Sequence, residues 1–361
     1  MSDPRTSKIT AIKGEIDKVK KAIQELRKSK QNGGLSTLGA RSDVTLQVNG
    51  STRIKMRRDL NGHFGKVYSV DWSGDGKDVL SAAQDGKLIL WDALSSHKLL
   101  SVPLRSTWVM TCSYEQTNAN GSRLVACGGL DNVCSLYSLK DRENSERTRK
   151  PLQTLVGHDG YIASTKFIDA RTVLTASGDH TVCKWDTESG KMITTFQGHE
   201  ADVLSLSTNP KNVFTFISGS CDFTAKLWDI RVNKSVQSFE KCHTEDINAV
   251  SFFPSGDAFA TGSDDGQVRI FELRCRNEVA LMGVGSPQIT SHVHAVGFSK
   301  SGRILFAGYD DSKCRGWDIL KSAQPFCVLS DHETRVSSLA VNPSGDSLVT
   351  GSWDSTLKVF G

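Results

Sequence analysis

The chain has 361 residues, with 44 lysines and arginines against 40 aspartates and glutamates, and nine cysteines. A net charge of +4 over this length is too weak to argue for nucleic acid, and no apolar run approaches the roughly 18 residues of a spanning helix. The cysteines are scattered without a CxxC pair, which fits reduced thiols in the cytoplasm, and the N-terminus is too charged for a secretory leader.

Residues 1–30 carry a helical period. Ile9, Ile12, Ile16, Val19, Ile23 and Leu26 alternate in spacings of three and four, the a/d seam of a heptad repeat. The e positions, Lys13, Lys20 and Arg27, are all basic, so an acidic partner helix suits this seam better than a second copy. A helix packed against the wall of its own domain is the alternative, because three heptads are near the lower limit for a coiled coil. Residues 31–50 are polar and Gly-rich and read as a connector.

From residue 51 to 361 the sequence repeats. Aromatic positions recur at Trp91, Tyr137, Trp185, Trp228, Phe271, Trp317 and Phe360, spaced by 46, 48, 43, 43, 46 and 43 residues. Six residues before each stands an aspartate: Asp85, Asp131, Asp179, Asp222, Asp265, Asp311 and Asp354. The residues between them read as a strand with one buried face, as in Leu88/Leu90 and Val268/Ile270 with Arg269 between. Upstream in five repeats lies a histidine: His63, His158, His199, His243 and His332. Arg105 and Ile289 occupy its place in the other two.

This pattern resembles the WD repeat. It implies an all-β, seven-bladed WD-repeat β-propeller with an N-terminal coiled-coil helix, the ring leaving no long sheet edge open. In such repeats the histidine and the turn aspartate hydrogen-bond to each other, so His63/Asp85, His158/Asp179, His199/Asp222, His243/Asp265 and His332/Asp354 are expected to be structural. Five equivalent copies cannot all be active sites, and no catalytic residue, cofactor or metal is expected. Phe360 lies one residue from the last position, so the final blade lacks a fourth strand from its own repeat. The segment 53–59 is the expected donor.

A heptad helix leading into seven such repeats resembles the β subunit of heterotrimeric G proteins. The stretches Ser81–Lys87, Pro103–Cys112, Ala126–Asn132, Ala260–Asp265 and Thr350–Ser355 carry the likeness. The resemblance implies a non-enzymatic signalling subunit, dimerised through its coil with a γ subunit. That dimer would bind an α subunit in its GDP state and be released to effectors on nucleotide exchange, with membrane contact only through lipidated partners at the inner face of the plasma membrane. A different WD scaffold is the competing reading, although those usually lack a fused heptad helix.

The repeat register also defines one rim of the ring. Positions three and five after each histidine position are Lys66/Tyr68, Trp108/Met110, Tyr161/Ala163, Asp202/Leu204, Asp246/Asn248, His292/His294 and Arg335/Ser337. The residues before the turn aspartates, among them Leu130, Asp264 and Trp353, share that rim. Large apolar anchors among charges have the composition of an interface. By resemblance the α- and effector-contacting positions are Lys66, Tyr68, Trp108, Met110, Leu130, Asn132, Tyr161, Asp202, Leu204, Asp246, Asn248 and Trp353. Phe64, Lys87, Ile89 and Lys98 match the positions that meet the N-terminal helix of α. Leu204 stands where the family commonly has Met, and His292/His294 are less typical.

Overall fold

A computed structural model describes residues 54–116, 123–139, 150–240, 242–282, 291–321 and 324–361. The heptad segment 1–30, the connector 31–50, Ile289 and the charged run 141–149 lie outside the described residues. The rest forms seven four-stranded antiparallel sheets. Their inner strands, from Val67–Trp72 in blade one to Val336–Val341 in blade seven, neighbour one another in sequence order and close into a ring.

Closure uses the two ends of the repeat region. Met56–Asn61 pairs antiparallel with Thr356–Phe360, with Leu60 opposite Leu357, and becomes the outer strand of blade seven. The donor begins a few residues later than the sequence indicates. Side chains add to the seam between blades seven and one: Ser338 Oγ accepts from Val70 N at 2.9 Å, and Trp72 Nε1 donates to Ala340 O at 3.0 Å.

Each strand between turn aspartate and aromatic is present, but the expectation of a single buried face holds only in some blades: Lys184, Lys226 and Arg269 are partly exposed between buried neighbours, whereas other blades bury this position too. In Lys87–Asp92 the four central residues are all buried, and so are Arg315 and Lys358 in the equivalent strands. The reason is architectural. Each blade is flanked by two others, so its middle strands are covered on both faces, as in sheets packed between layers. Ile89 is thus 1 % exposed and packs with Trp91, Leu60 and Val359 between blades one and seven.

The sequence resemblance named a pair at five of the seven blades; the structure builds a longer relay. In blade four His199 Nδ1 lies 2.7 Å from Asp222 and its Nε2 lies 2.6 Å from Ser218 Oγ, which also receives Trp228 Nε1 at 2.8 Å. A carboxylate can only accept, so Nδ1 carries the proton, and in a neutral imidazole Nε2 then accepts from the serine hydroxyl. Blades one and three repeat this with Ser81 and Thr175. Blades five and seven keep the histidine and a threonine, but Phe271 and Phe360 replace the indole. The carboxylates respond as such wiring requires. Burial alone would raise Asp222, yet hydrogen bonds from His199 and Thr224 hold it well below the usual carboxylate range. Asp85, Asp179, Asp265 and Asp354 are lowered for the same reasons.

Blades two and six depart from the relay. Asp131 has Arg105 upstream in place of histidine, and it stands exposed. In blade six Arg315 reaches back to Asp311 and lies 4.4 Å over the Tyr309 ring. Ala307 occupies the hydroxyl position, and Trp317 Nε1 has no acceptor in good geometry among the described residues.

A candidate partner-binding rim

Histidine loops and aspartate turns gather at one end of the ring, and the twelve rim residues gather with them. The order begins at Trp353. Lys66 Nζ lies 3.9 Å from its ring centroid and the Arg335 guanidinium carbon 4.1 Å, so the indole is held between two cations. Tyr68 meets Trp353 edge-on at 5.9 Å and stacks on Trp108 at 6.3 Å. Three aromatic rings from blades seven, one and two therefore form one continuous surface.

Trp108 is held there against its own backbone preference. Its φ is +64°, a left-handed conformation that costs a non-glycine residue roughly 1–2 kcal/mol. Backbone bonds fix it: Trp108 N donates to Gln84 O at 3.3 Å, and Leu130 N donates to Trp108 O at 3.4 Å. Gly129 makes the approach feasible, because a Cβ there would lie 2.1 Å from the Trp108 carbonyl oxygen. The result is an indole 42 % exposed beside Leu130 at 50 %. Strain retained to display an apolar side chain points to a role outside folding.

The other half of the rim is polar. Tyr161 Oη donates to Asp202 at 2.8 Å, and burial together with that carboxylate raises the phenol. Asn248 Nδ2 donates to Asp264 at 2.5 Å and to Val293 O at 3.0 Å, bridging blades five and six. Burial first, and then a hydrogen bond to Asp246, pushes the Cys221 thiol up to about 12. Asp310 pairs with Arg335. Asn132 Nδ2 reaches Asp159 O at 3.2 Å across the gap between blades two and three. Tyr68, Met110, Leu204, Asn248 and His294 also line a central cavity of about 150 Å³ bounded by all seven inner strands.

Of the four flank residues, Phe64 is 84 % exposed with Lys87 Nζ 5.2 Å from its ring, and Lys98 is exposed and bonds Gly62 O at 3.1 Å. Ile89 does not join them. It lies in the core between blades, so its assignment to a partner contact is corrected: it packs behind the flank. Sequence reasoning also missed His180, whose Nε2 lies 3.4 Å from Asp202. It follows a turn aspartate, a position filled elsewhere by Gly86, Asn132 or Ser355, and that departure was the available signal.

A family model described as "G protein beta WD-40 repeat protein" matches residues 6–361. The chain belongs to the G protein β family. The "Guanine nucleotide-binding protein subunit beta" of Lymnaea stagnalis is 49 % identical over 352 residues, covering 98 % of this chain and 98 % of that protein. The "Guanine nucleotide-binding protein G(I)/G(S)/G(T) subunit beta-1" of Homarus americanus is 47 % identical over 352 residues, 98 % and 99 % of the two chains. Members of the G protein β family are signalling scaffolds without enzymatic activity. No helix among the described residues is long and apolar enough to cross a membrane.

Proposed function

We propose that this chain pairs with a γ subunit through Ile9, Ile12, Ile16, Val19, Ile23 and Leu26, and that the pair docks GDP-bound α on the rim centred on Trp108 and Trp353. Effectors use the same rim after α leaves. The flank of Phe64, Lys87 and Lys98 receives the N-terminal helix of α, and any membrane contact at the inner face of the plasma membrane comes through lipidated partners. The observation that carries this reading is the Tyr68–Trp108–Trp353 surface, displayed at a cost in backbone strain and framed by Lys66 and Arg335. Buried-edge aromatics beside cations are what interface hot spots are made of.

The test is the affinity of the β chain, co-purified with γ, for GDP-bound α. Trp108→Ala and Trp353→Ala are each expected to cost about 1–3 kcal/mol of binding while leaving the melting temperature nearly unchanged. Native affinity in both variants would remove the rim from the account.

A further inference from the structure

Each blade places one residue directly after its turn aspartate: Gly86, Asn132, His180, Phe223, Gly266, Ser312 and Ser355. All seven have a left-handed backbone, with φ between +61° and +77°. Glycine carries no penalty there and asparagine or histidine tolerates it, whereas a bulky apolar residue is an outlier. Phe223, at φ +64°, is the apolar residue of the set. Its turn is held by groups other than its ring. Asp222 accepts from Thr224 N at 2.9 Å, Phe223 N donates to Ser220 O at 3.3 Å, and Cys242 Sγ donates to Phe223 O at 3.3 Å. The ring is 42 % exposed, as the Trp108 indole is. One exposed aromatic means little. A second one held in a strained conformation at the same end of the ring points to a use outside folding.

The loops that frame Phe223 are acidic. Glu200 and Asp202 lie on the first, which Glu200 N ties to the turn by donating to Asp222 at 3.1 Å, as does the 2.9 Å bond from Cys221 N to Asp202 O. Glu240, Glu245 and Asp246 lie on the second, which the Cys242 bond ties to the turn. Glu200, Glu240 and Glu245 are exposed. Asp202 meets His180, and none of the five carboxylates is ion-paired with a lysine or arginine among the described residues. Arg269, which bears on Cys242, is already paired with Glu278, and Lys241 lies outside the described residues.

We propose that Phe223 and these carboxylates form a docking subsite for a partner segment that carries an apolar side chain flanked by lysine or arginine. The inference rests on the reading of the rim as a docking face and names the chemistry that its blade-four end accepts. The phenyl ring supplies the apolar anchor, and the unpaired carboxylates select basic neighbours and repel acidic ones. Phe223 occupies in blade four the register position that Asn132 occupies in blade two, so the subsite continues the rim.

The experiment titrates the γ-bound chain into a fluorescent peptide of Lys-Leu-Arg units spaced by Gly-Ser, alongside Phe223→Asn. Asparagine suits the left-handed turn, as Asn132 shows. Native protein is expected to bind saturably and Phe223→Asn about tenfold more weakly. Serine in place of leucine should cost the native protein a similar factor and the variant little more, and glutamine in place of lysine and arginine should abolish binding. Native affinity in Phe223→Asn, or tight binding of the uncharged peptide, would overturn the proposal. The melting temperature of Phe223→Asn is expected to hold or rise as strain is relieved; a fall of several degrees would make Phe223 a packing residue and overturn it as well. A dimer of the γ-bound chain that Phe223→Asn dissolves, read by sedimentation, would assign the surface to a second copy instead. The peptide titration needs no α, so native α affinity in Trp108→Ala and Trp353→Ala would remove the wider rim reading while the subsite is decided separately.

Discussion

Ser218 serves one buried donor and one buried acceptor at once, and its removal gives the sharpest test of how the blades are fastened. Ser218→Ala strands the Trp228 indole N–H, now 2.8 Å from the hydroxyl, and the His199 Nε2, now 2.6 Å from it. A buried polar group left unpaired costs about 1–3 kcal/mol, so two of them cost roughly 2–6 kcal/mol. The equivalent change in blade five is smaller. Thr261 holds only His243 Nε2, at 2.6 Å, because Phe271 has no N–H, and Thr261→Val keeps the shape while stranding one group for about 1–3 kcal/mol. The assay is the denaturation midpoint of the γ-bound chain followed by calorimetry. Ser218→Ala is expected to lower it about twice as far as Thr261→Val. Equal shifts would show that the Trp228 bond adds nothing, and a Ser218→Ala shift within about 0.5 kcal/mol of native would show that the hydroxyl relay contributes nothing to stability.

Three further outcomes follow from the same structure. Gly129→Ala is expected to displace the Trp108 backbone, since the new Cβ would fall 2.1 Å from its carbonyl oxygen; both stability, by about 1–3 kcal/mol, and α affinity should fall together, which unfolding curves and titration calorimetry read separately. Ile89→Ala is expected to lower stability by about 2–4 kcal/mol through an internal cavity, with no loss of α affinity in the folded fraction, whereas Phe64→Ala should do the reverse. Acid is expected to destabilise the ring in a defined window. The folded carboxyls of Asp85, Asp179, Asp222, Asp265 and Asp354 are depressed, so their contribution is complete above the unfolded value of about 3.9 and is lost as pH falls below it toward the folded values. Melting temperature against pH should drop below about pH 4, and Asp222→Asn should be less stable at pH 7 yet lose less on acidification.

Much of this was legible in the sequence because the repeat enforces it. Seven aspartates in register locate seven turns, and the aromatic six residues later ends each strand on the core. A donor strand for the final blade was expected over 53–59, and Met56–Asn61 supplies it. What escaped has a physical cause in each case. Ile89 sits at the position that alternation assigns to solvent, but alternation describes a sheet with one wet face, and the blades cover both. The hydroxyls of Ser81, Thr175 and Ser218 lie in the second strand of each blade among ordinary β residues, where serine and threonine carry no signal of their own. Arg315 answers the missing histidine of blade six from two residues before the aromatic, a substitution visible only once Asp311 and Tyr309 are placed in space. The rim was readable as a set of positions, while its division into an aromatic arc under two cations and a polar arc with histidines required distances.

The central claim is that one end of the propeller, and not the other, takes the α subunit. Hydrogen exchange of the γ-bound chain with and without GDP-bound α tests it most directly. The account predicts new protection in the segments containing Gln84–Lys87, Trp108–Met110, Leu130–Asn132 and Ser352–Asp354, lost again when α is loaded with a non-hydrolysable GTP analogue. Protection confined to the opposite turns, such as Ser73–Lys77 and Asn209–Phe214, would contradict it.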